Sequence, residues 1–242
     1  MDIGGTFTDI IAFLEGRVLR YKLLSTPHDP ALAVIKGVRR MLTGGGIETD
    51  QARIVHGSTI AVNALLERKG ARTALITTKG FEDIIEIGRQ NRPSLYDLLV
   101  DKPPPLVPRE LRFGISERTT YKGEIEREID ENELKMLLNE LRSKGVESIA
   151  ISLLHSYANP ENERRITCFL EGLGVHISPS HEVLPEYREY ERTSTTVANA
   201  YIAPLMERYL ARLEGELGGV GVMQSSGGII SSRLARRIPI YT

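Results

Sequence analysis

At 242 residues, with 41% hydrophobic and 26% charged side chains, the chain has room for one large domain or two small ones around a substantial core. Its 31 basic and 32 acidic residues leave a formal charge of −1, which excludes a broad electrostatic platform for nucleic acid. A single cysteine, Cys168, excludes an intramolecular disulfide framework and a multi-cysteine zinc site.

The opening Met1-Asp2-Ile3-Gly4-Gly5 lacks the basic and apolar regions of a secretory signal. Apolar runs such as residues 148–154 fall short of the roughly 20 residues that a membrane span needs. A soluble, cytoplasmic protein is expected.

Residues 7–14 carry β-branched and apolar side chains on both faces and predict an interior strand. Glu15-Gly16 is a two-residue loop into residues 18–24, whose alternation completes a hairpin. Thr26-Pro27-His28-Asp29-Pro30 punctuates the chain, with Asp29 as N-cap and Pro30 as first residue of a helix. That helix presents Ala31, Val34, Ile35, Val38, Met41 and Leu42 on one face and stops at Gly44-Gly45-Gly46.

A short strand is predicted over 52–56, followed by a Gly57-Ser58 turn and a helix through Lys69 that ends at Gly70. Residues 72–78 predict another strand. Prolines 93, 103, 104, 105 and 108 predict a long loop, followed by an antiparallel pair around Lys122-Gly123. Asp130-Glu131-Asn132-Glu133 reads as a capping box ahead of Leu134, Leu137, Leu138 and Leu141.

Residues 146–152 predict a buried strand. Asn159-Pro160 opens a helix with Cys168 as core filler, and 174–178 predict a further strand. From Tyr187 to Leu217 the pattern is helical, with Pro204 expected to kink or split it. A strand restarts over 220–223. A hairpin followed by alternating helices and strands gives the α/β class, a mixed sheet with helices on it. The final Ile238-Pro239-Ile240-Tyr241-Thr242 has no terminating signal, so the chain is expected to be cut off in mid-protein.

The sharpest local feature is Asp2-Ile3-Gly4-Gly5-Thr6-Phe7-Thr8-Asp9, at a tight turn between two strand segments. Gly4 and Gly5 allow close backbone approach, and successive N–H groups in such a turn form an anion nest. Thr6 and Thr8 add hydroxyl donors, and Asp2 sits where a carboxylate can hold hydrated Mg²⁺. The alternative is a plain Gly-Gly hairpin with surface threonines. No lysine precedes Ser or Thr, and no Gly-x-Gly-x-x-Gly opens a helix, so the common nucleotide loops are absent.

His56-Gly57-Ser58-Thr59 joins a strand end to a helix start, where ligands of open α/β sheets tend to bind. There His56 could polarise or protonate an oxygen and Thr59 could donate. The blander alternative makes Ser58 an N-cap and His56 a hydrogen-bonded core residue. Arg89-Gln90-Asn91-Arg92 suits carboxylate or phosphate recognition, although surface ion pairing is the commoner use. His181-Glu182 begins like a zinc-protease helix, but Pro185 stands where the second histidine is required. The mixed-sign run from Glu186 to Arg192 reads as a solvated helix face.

Asp2 to Asp9 resembles the first phosphate motif of the actin/Hsp70/sugar-kinase superfamily. More narrowly, the chain resembles the hydantoinase A/5-oxoprolinase family. The match runs through His56-Gly57-Ser58-Thr59-Ile60-Ala61-Val62-Asn63-Ala64-Leu65-Leu66-Glu67-Arg68 and Thr77-Thr78-Lys79-Gly80-Phe81-Glu82-Asp83. It continues in Glu86-Ile87-Gly88-Arg89-Gln90, Tyr96-Asp97-Leu98, Pro185-Glu186-Tyr187-Arg188-Glu189-Tyr190-Glu191-Arg192 and Met223-Gln224-Ser225-Ser226-Gly227-Gly228.

The resemblance implies one half of an actin-like (ribonuclease H-like) ATPase, truncated before its second half. Residues 1–180 would form the N-terminal domain, and 181–242 a long helical region and the start of the main domain. It implies ATP and Mg²⁺ as cofactors, with Asp2 organising the metal and Gly4, Gly5, Thr6 and Thr8 holding phosphate. His56, Thr59 and Arg89 would surround the phosphoryl acceptor.

The implied function is ATP-dependent hydrolysis of a cyclic amide, or activation of another carbonyl compound, by phosphoryl transfer to oxygen, with a B-type partner subunit. Alternatives are a small-molecule kinase of the same superfamily and a non-catalytic subunit with a vestigial phosphate loop. Relatives carry a few apolar residues ahead of Asp2 and run several hundred residues further. Half a nucleotide clamp is expected to be inactive alone, and its uncovered apolar surface would favour homo-oligomers.

Overall fold

The computed structural model describes every residue except Gly4, Gly5, Glu15, Pro27, Glu48, Asp50, Gln51, Arg92, Pro93, Leu95 and Leu98, and only the backbone of Leu14. The chain forms two compact units: Met1–Gly70 with Leu205–Thr242, and Ala71–Pro204. The second is thus inserted in sequence between two parts of the first. Strands from both ends of the chain complete the first sheet.

The first unit opens with β1 (Asp2–Ile3), which pairs antiparallel with β2 (Phe7–Leu14) and places Asp2 opposite Asp9 and Ile3 opposite Thr8. β2 returns along β3 (Arg17–Leu24) over its full length, the predicted hairpin. Alternation sorts β2 into a buried side, Thr8 and Ile10, and an exposed side, Phe7, Ile11 and Phe13. The strand is therefore interior in the sheet but open on one face.

Helix α1 (Pro30–Gly45) starts on its proline and ends at Gly46, whose φ of 67° is left-handed. Its Gly37 has a structural reason: an added Cβ would lie 2.3 Å from Ile10 Cδ1, so α1 packs directly on β2. Asp29 occupies the N-cap position, but its carboxylate pairs with Arg212 at 2.5 Å instead of capping a backbone N–H. β4 (Ile54–Ser58) runs parallel to β1, with Asp2 beside Gly57 and Ile3 beside Ser58, and leads into α2 (Ile60–Leu66).

In the second unit, β5 (Thr73–Thr78) is wholly buried and short α3 (Ile84–Ile87) follows it. β6 (Arg112–Ile115), parallel to β5, falls where the prolines predicted only loop. A charged residue is tolerated there because the buried Arg112 guanidinium donates to the Val107 carbonyl, Asp83 and Glu86. β7 (Arg118–Thr119) and β8 (Ile125–Arg127) form the expected ribbon around Lys122-Gly123.

α4 (Glu131–Lys144) is capped by Asp130, whose Oδ1 accepts from Asn132 N at 2.9 Å. Glu133 does not complete the predicted capping box; both its oxygens accept from Ser116 N at 3.1 Å. β9 (Ser148–Ser152) precedes α5 (Glu161–Leu170), which buries Asn162, Glu163, Ile166 and Leu170. Cys168 falls off that face and is exposed, correcting its expected core position.

β10 (His176–Pro179) and α6 (Ser180–Val183) follow. Strand order β10-β9-β5-β6 makes an all-parallel sheet, with Leu75, Ile76, Ile149, Ile151, Leu141 and Ile166 in its core. Both faces of such a sheet are buried, which accounts for the continuous apolar runs of β5 and β9.

α7 (Glu189–Leu217) stays one helix across Pro204, where the sequence predicts a kink or split. It belongs to the second unit through Pro204 and to the first from Leu205. β11 (Val220–Met223) then adds parallel to β4, β12 (Ile229–Ser231) adds antiparallel to β11, and α8 (Ser232–Arg237) follows. The first sheet therefore has the order β12-β11-β4-β1-β2-β3. One face, carrying Ile3, Thr8, Ile10, His56 and Val222, is buried. The whole is the mixed α/β architecture that the alternation predicts. No helix among the described residues is long and apolar enough to cross a membrane.

Candidate functional site

Residues directly opposite in an antiparallel pair point to the same face, so Asp2 and Asp9 share the open face of the first sheet. Gly57 lies beneath Asp2 on that face; a Cβ there would sit 3.7 Å from Asp2 Oδ1. Asp2, Asp9, Gly57, Ser58, Met223 and Gln224 line a cleft of about 530 Å³.

Asp9 also accepts from Lys22 Nζ at 3.2 Å, while both side chains of that pair remain about half exposed. Two like charges placed opposite each other are mutually destabilising. A hard cation removes the conflict. Magnesium in particular is held by one or two carboxylates while it keeps waters and substrate phosphates, and this donor set fits that pattern. Among the described residues no group of three or more His, Cys, Asp and Glu side chains is placed to hold a metal ion.

Gly4 and Gly5, the expected phosphate cradle, lie outside the described residues. Thr6 beside them is exposed, and its carbonyl accepts from Ser25 N at 2.9 Å. Thr8 is buried, because it stands opposite Ile3 on the covered face, and its Oγ1 lies 3.0 Å from Ser25 Oγ.

Thr59 takes the N-cap position of α2. Its Oγ1 donates to the Ile3 carbonyl at 3.2 Å and accepts from Asn63 Nδ2 at 3.3 Å. Ser58 Oγ accepts from Ile60 N at 3.1 Å. Thr59, Asn63, Ser25, Thr26 and Lys69 line a second cleft of about 480 Å³ beyond the end of β1.

His56 alternates with Gly57 and so faces the covered side, away from Asp2. It is fully buried, and its Nε2 is 2.7 Å from the Tyr209 hydroxyl of α7. Burial, assisted by the N-terminal ammonium and opposed by the Met1 carbonyl, holds its pKa down at about 4. At neutral pH the ring is uncharged. Burial, together with the Asp2 charge, raises the Tyr209 pKa, so that hydroxyl stays protonated and available as a donor.

Arg89 belongs to the second unit. Its Nε donates to Glu191 Oε1 at 2.6 Å, and it lines a groove of about 1300 Å³ with Gln90, Asn91, Lys102 and Tyr190. Backbone hydrogen bonding and Arg89 together lower the Glu191 pKa. Of the residues proposed from the sequence, the first unit therefore holds Asp2, Thr6, Thr8, His56 and Thr59, and the second holds Arg89. Sequence reasoning did not assign a role to Asp9 or Tyr209. Asp9 belongs to the same acid-flanked segment as Asp2, and the antiparallel register of β1 and β2 sets the two opposite each other. Tyr209 left no local signal at all.

A family model described as the hydantoinase/oxoprolinase N-terminal region matches residues 1–174, and one described as hydantoinase/oxoprolinase matches residues 192–242. Caprolactamase subunit alpha from Pseudomonas jessenii is 37% identical over 95% of this chain and 35% of its own length. 5-Oxoprolinase 1 from Arabidopsis thaliana is 37% identical over 95% of this chain and 21% of its own.

The crystal structure of ATP-dependent caprolactamase from Pseudomonas jessenii matches at a TM-score of 0.84 and 35% identity, covering 98% of this chain and 38% of that one. The chain thus spans about a third or less of the length of these curated relatives. Since the two family models together account for nearly all of its residues, this chain belongs to the hydantoinase/oxoprolinase family.

Proposed function

We propose that the chain is the N-terminal, phosphate- and metal-binding part of a cytoplasmic ATP-dependent enzyme that opens a cyclic amide by activating its carbonyl group. The observation that carries this reading is the Asp2–Asp9 pair on the open face of the first sheet. Supporting it, the order β3-β2-β1-β4-β11 has antiparallel pairs up to β1 and parallel pairs beyond it, as in the ribonuclease H-like half of an actin-like ATPase. The relatives' printed names, caprolactamase subunit alpha and 5-oxoprolinase, point to cyclic amides. The word subunit in the first points to a partner chain, which we take to be of the B type.

In this reading Asp2 and Asp9 hold Mg²⁺, while Gly4, Gly5 and the Thr6 hydroxyl serve the phosphates; the sequence expectation for Thr8 is not kept, because it is buried on the covered face with its hydroxyl on Ser25. When bound, the metal neutralises charge on the phosphate oxygens. Thr59 stands at the α2 N-terminus, and its side is the acceptor end of the site. Arg89 offers a planar fork of donors suited to an oxyanion.

The γ-phosphoryl group leaves ATP, releasing ADP, and bonds to the amide oxygen. Water then adds to the activated carbon and the ring C–N bond opens, its nitrogen taking up a proton and leaving an acyl phosphate; a second water hydrolyses this to the free acid and phosphate.

The test is ADP and phosphate release by the complete polypeptide with its B-type partner across 5-oxoproline, hydantoins, ε-caprolactam and acetone. Release that depends on a cyclic amide, with a ring-opened acid as product, is expected. A stable phosphoester product would instead identify a kinase, and absence of Mg·ATP binding a vestigial loop.

A further inference from the structure

We propose that Asn63 determines specificity for a cyclic amide: its Oδ1 accepts the ring N–H in the cleft beyond the end of β1. The proposal rests on the reading of the chain as part of an ATP-dependent cyclic-amide hydrolase with Thr59 at its acceptor end.

The orientation of the Asn63 carboxamide follows from a count of protons. A threonine hydroxyl has one proton to give and lone pairs with which to receive. Thr59 Oγ1 lies 3.2 Å from the Ile3 carbonyl, which can only accept, so the proton goes there. Towards Asn63, one helical turn on and 3.3 Å away, the same oxygen is then an acceptor, and it meets Nδ2. With the amide turned over, two oxygens would face each other and one of the two contacts would lack a proton. Nδ2 is therefore committed to Thr59. Among the described residues no group donates to Oδ1.

Asn63 is half-buried and lines the cleft of about 480 Å³. The other polar groups there are engaged within the protein. Thr26 Oγ1 donates to the Asp29 carbonyl, Ser25 Oγ is 3.0 Å from Thr8 Oγ1, and Lys69 pairs with Glu67 at 2.6 Å. Ile3, Pro30, Ile60, Ala64 and Leu205 line the same cleft and offer apolar contact to ring methylenes. What the cleft lacks is a donor for Oδ1.

A cyclic amide supplies one. As its carbonyl oxygen takes the phosphoryl group, positive charge builds on the ring nitrogen and the N–H becomes a stronger donor. A fixed acceptor at that N–H thus binds the transition state more tightly than the ground state. A ketone or an N-alkylated lactam carries no such proton.

The test measures ADP release by the complete polypeptide with its B-type partner on 5-oxoproline and ε-caprolactam, each beside its N-methyl derivative. The wild type should favour the N–H form by about ten- to a hundredfold in kcat/KM, the scale of one polar group left unpaired. Asn63→Ala, a change that suits a helix, should lose about that factor on N–H lactams and leave their N-methyl forms nearly unchanged. Mg·ATP binding should stay at the wild-type level. A structural role would lower both forms alike, and a steric one would raise only the N-methyl form; either result overturns the proposal. So does a wild type that opens both forms equally, a result that depends on no variant. Absence of ADP release with every N–H cyclic amide would instead overturn the reading on which the proposal rests.

Discussion

Asp2 and Asp9 occupy the same rung of the β1–β2 pair and present two carboxylates to one side of the sheet. A folded protein gains nothing in stability from such a pair; opposite-charge neighbours would serve it better. Lys22 offsets Asp9 from the far side, but it is a solvated surface partner and contributes little.

Neutralising either carboxylate should therefore leave the metal-free protein as stable as before, or up to about 1 kcal/mol more stable. Adding saturating magnesium should raise the melting temperature of the wild type but not that of Asp2→Asn. Asp9→Asn should show a reduced rise. Thermal melts with and without magnesium check both statements, and a wild type indifferent to magnesium would contradict them.

Acid should weaken the first unit through His56. Its pKa is about 4 in the fold against 6.5 unfolded, so between those values the unfolded chain binds the proton and the folded chain does not. Stability from this group is complete above pH 6.5 and falls as the pH drops towards 4, by about 3 kcal/mol in all. His176, also lowered by burial, acts in the same direction. Urea unfolding at a series of pH values should show the decline, and His56→Gln should flatten it.

Glu163 is a heavily bonded carboxylate of the second unit. Fully buried, it accepts from Leu153 N at 2.9 Å, Ser180 Oγ at 2.7 Å, His181 N at 2.9 Å and His181 Nδ1 at 2.7 Å. Glu163→Ala would strand all of these donors and should cost roughly 3–5 kcal/mol. Glu163→Gln keeps one acceptor oxygen and should cost less. Chemical denaturation followed by circular dichroism distinguishes the two.

Gly37→Ala should destabilise although alanine is the better helix former. The new methyl would lie 2.3 Å from Ile10 Cδ1, and overpacking of this kind costs about 1–3 kcal/mol. The nearby exposed Gly44 has nothing within 4 Å of an added Cβ, so Gly44→Ala should be neutral or stabilising. Melting temperatures of the two variants should move in different directions.

Where a signal is local, the sequence predicted the element. Pro30 and Gly46 bound α1, and apolar runs locate β5 and β9, because capping and periodicity act within a few residues. Where a long-range partner decides, the prediction failed. Arg112 disguised β6 until Val107, Asp83 and Glu86 are seen to satisfy its guanidinium. Glu133 fits a capping box in sequence, yet it turns to Ser116. Cys168 misses the buried stripe of α5 by its position on the helix, a face that only packing defines.

The β2–β3 hairpin and the family were legible from residue order alone, since each depends on neighbours in the chain. The division into units was not, because residues 71–204 interrupt a sheet that closes only when β11 returns beside β4. Nor was the environment of His56, whose partner Tyr209 lies 153 residues away. Short-range periods and turns specify what each segment becomes. Pairing and burial between distant segments specify which side chains meet, and in this protein that contact separates a histidine facing the core from an aspartate facing the cleft.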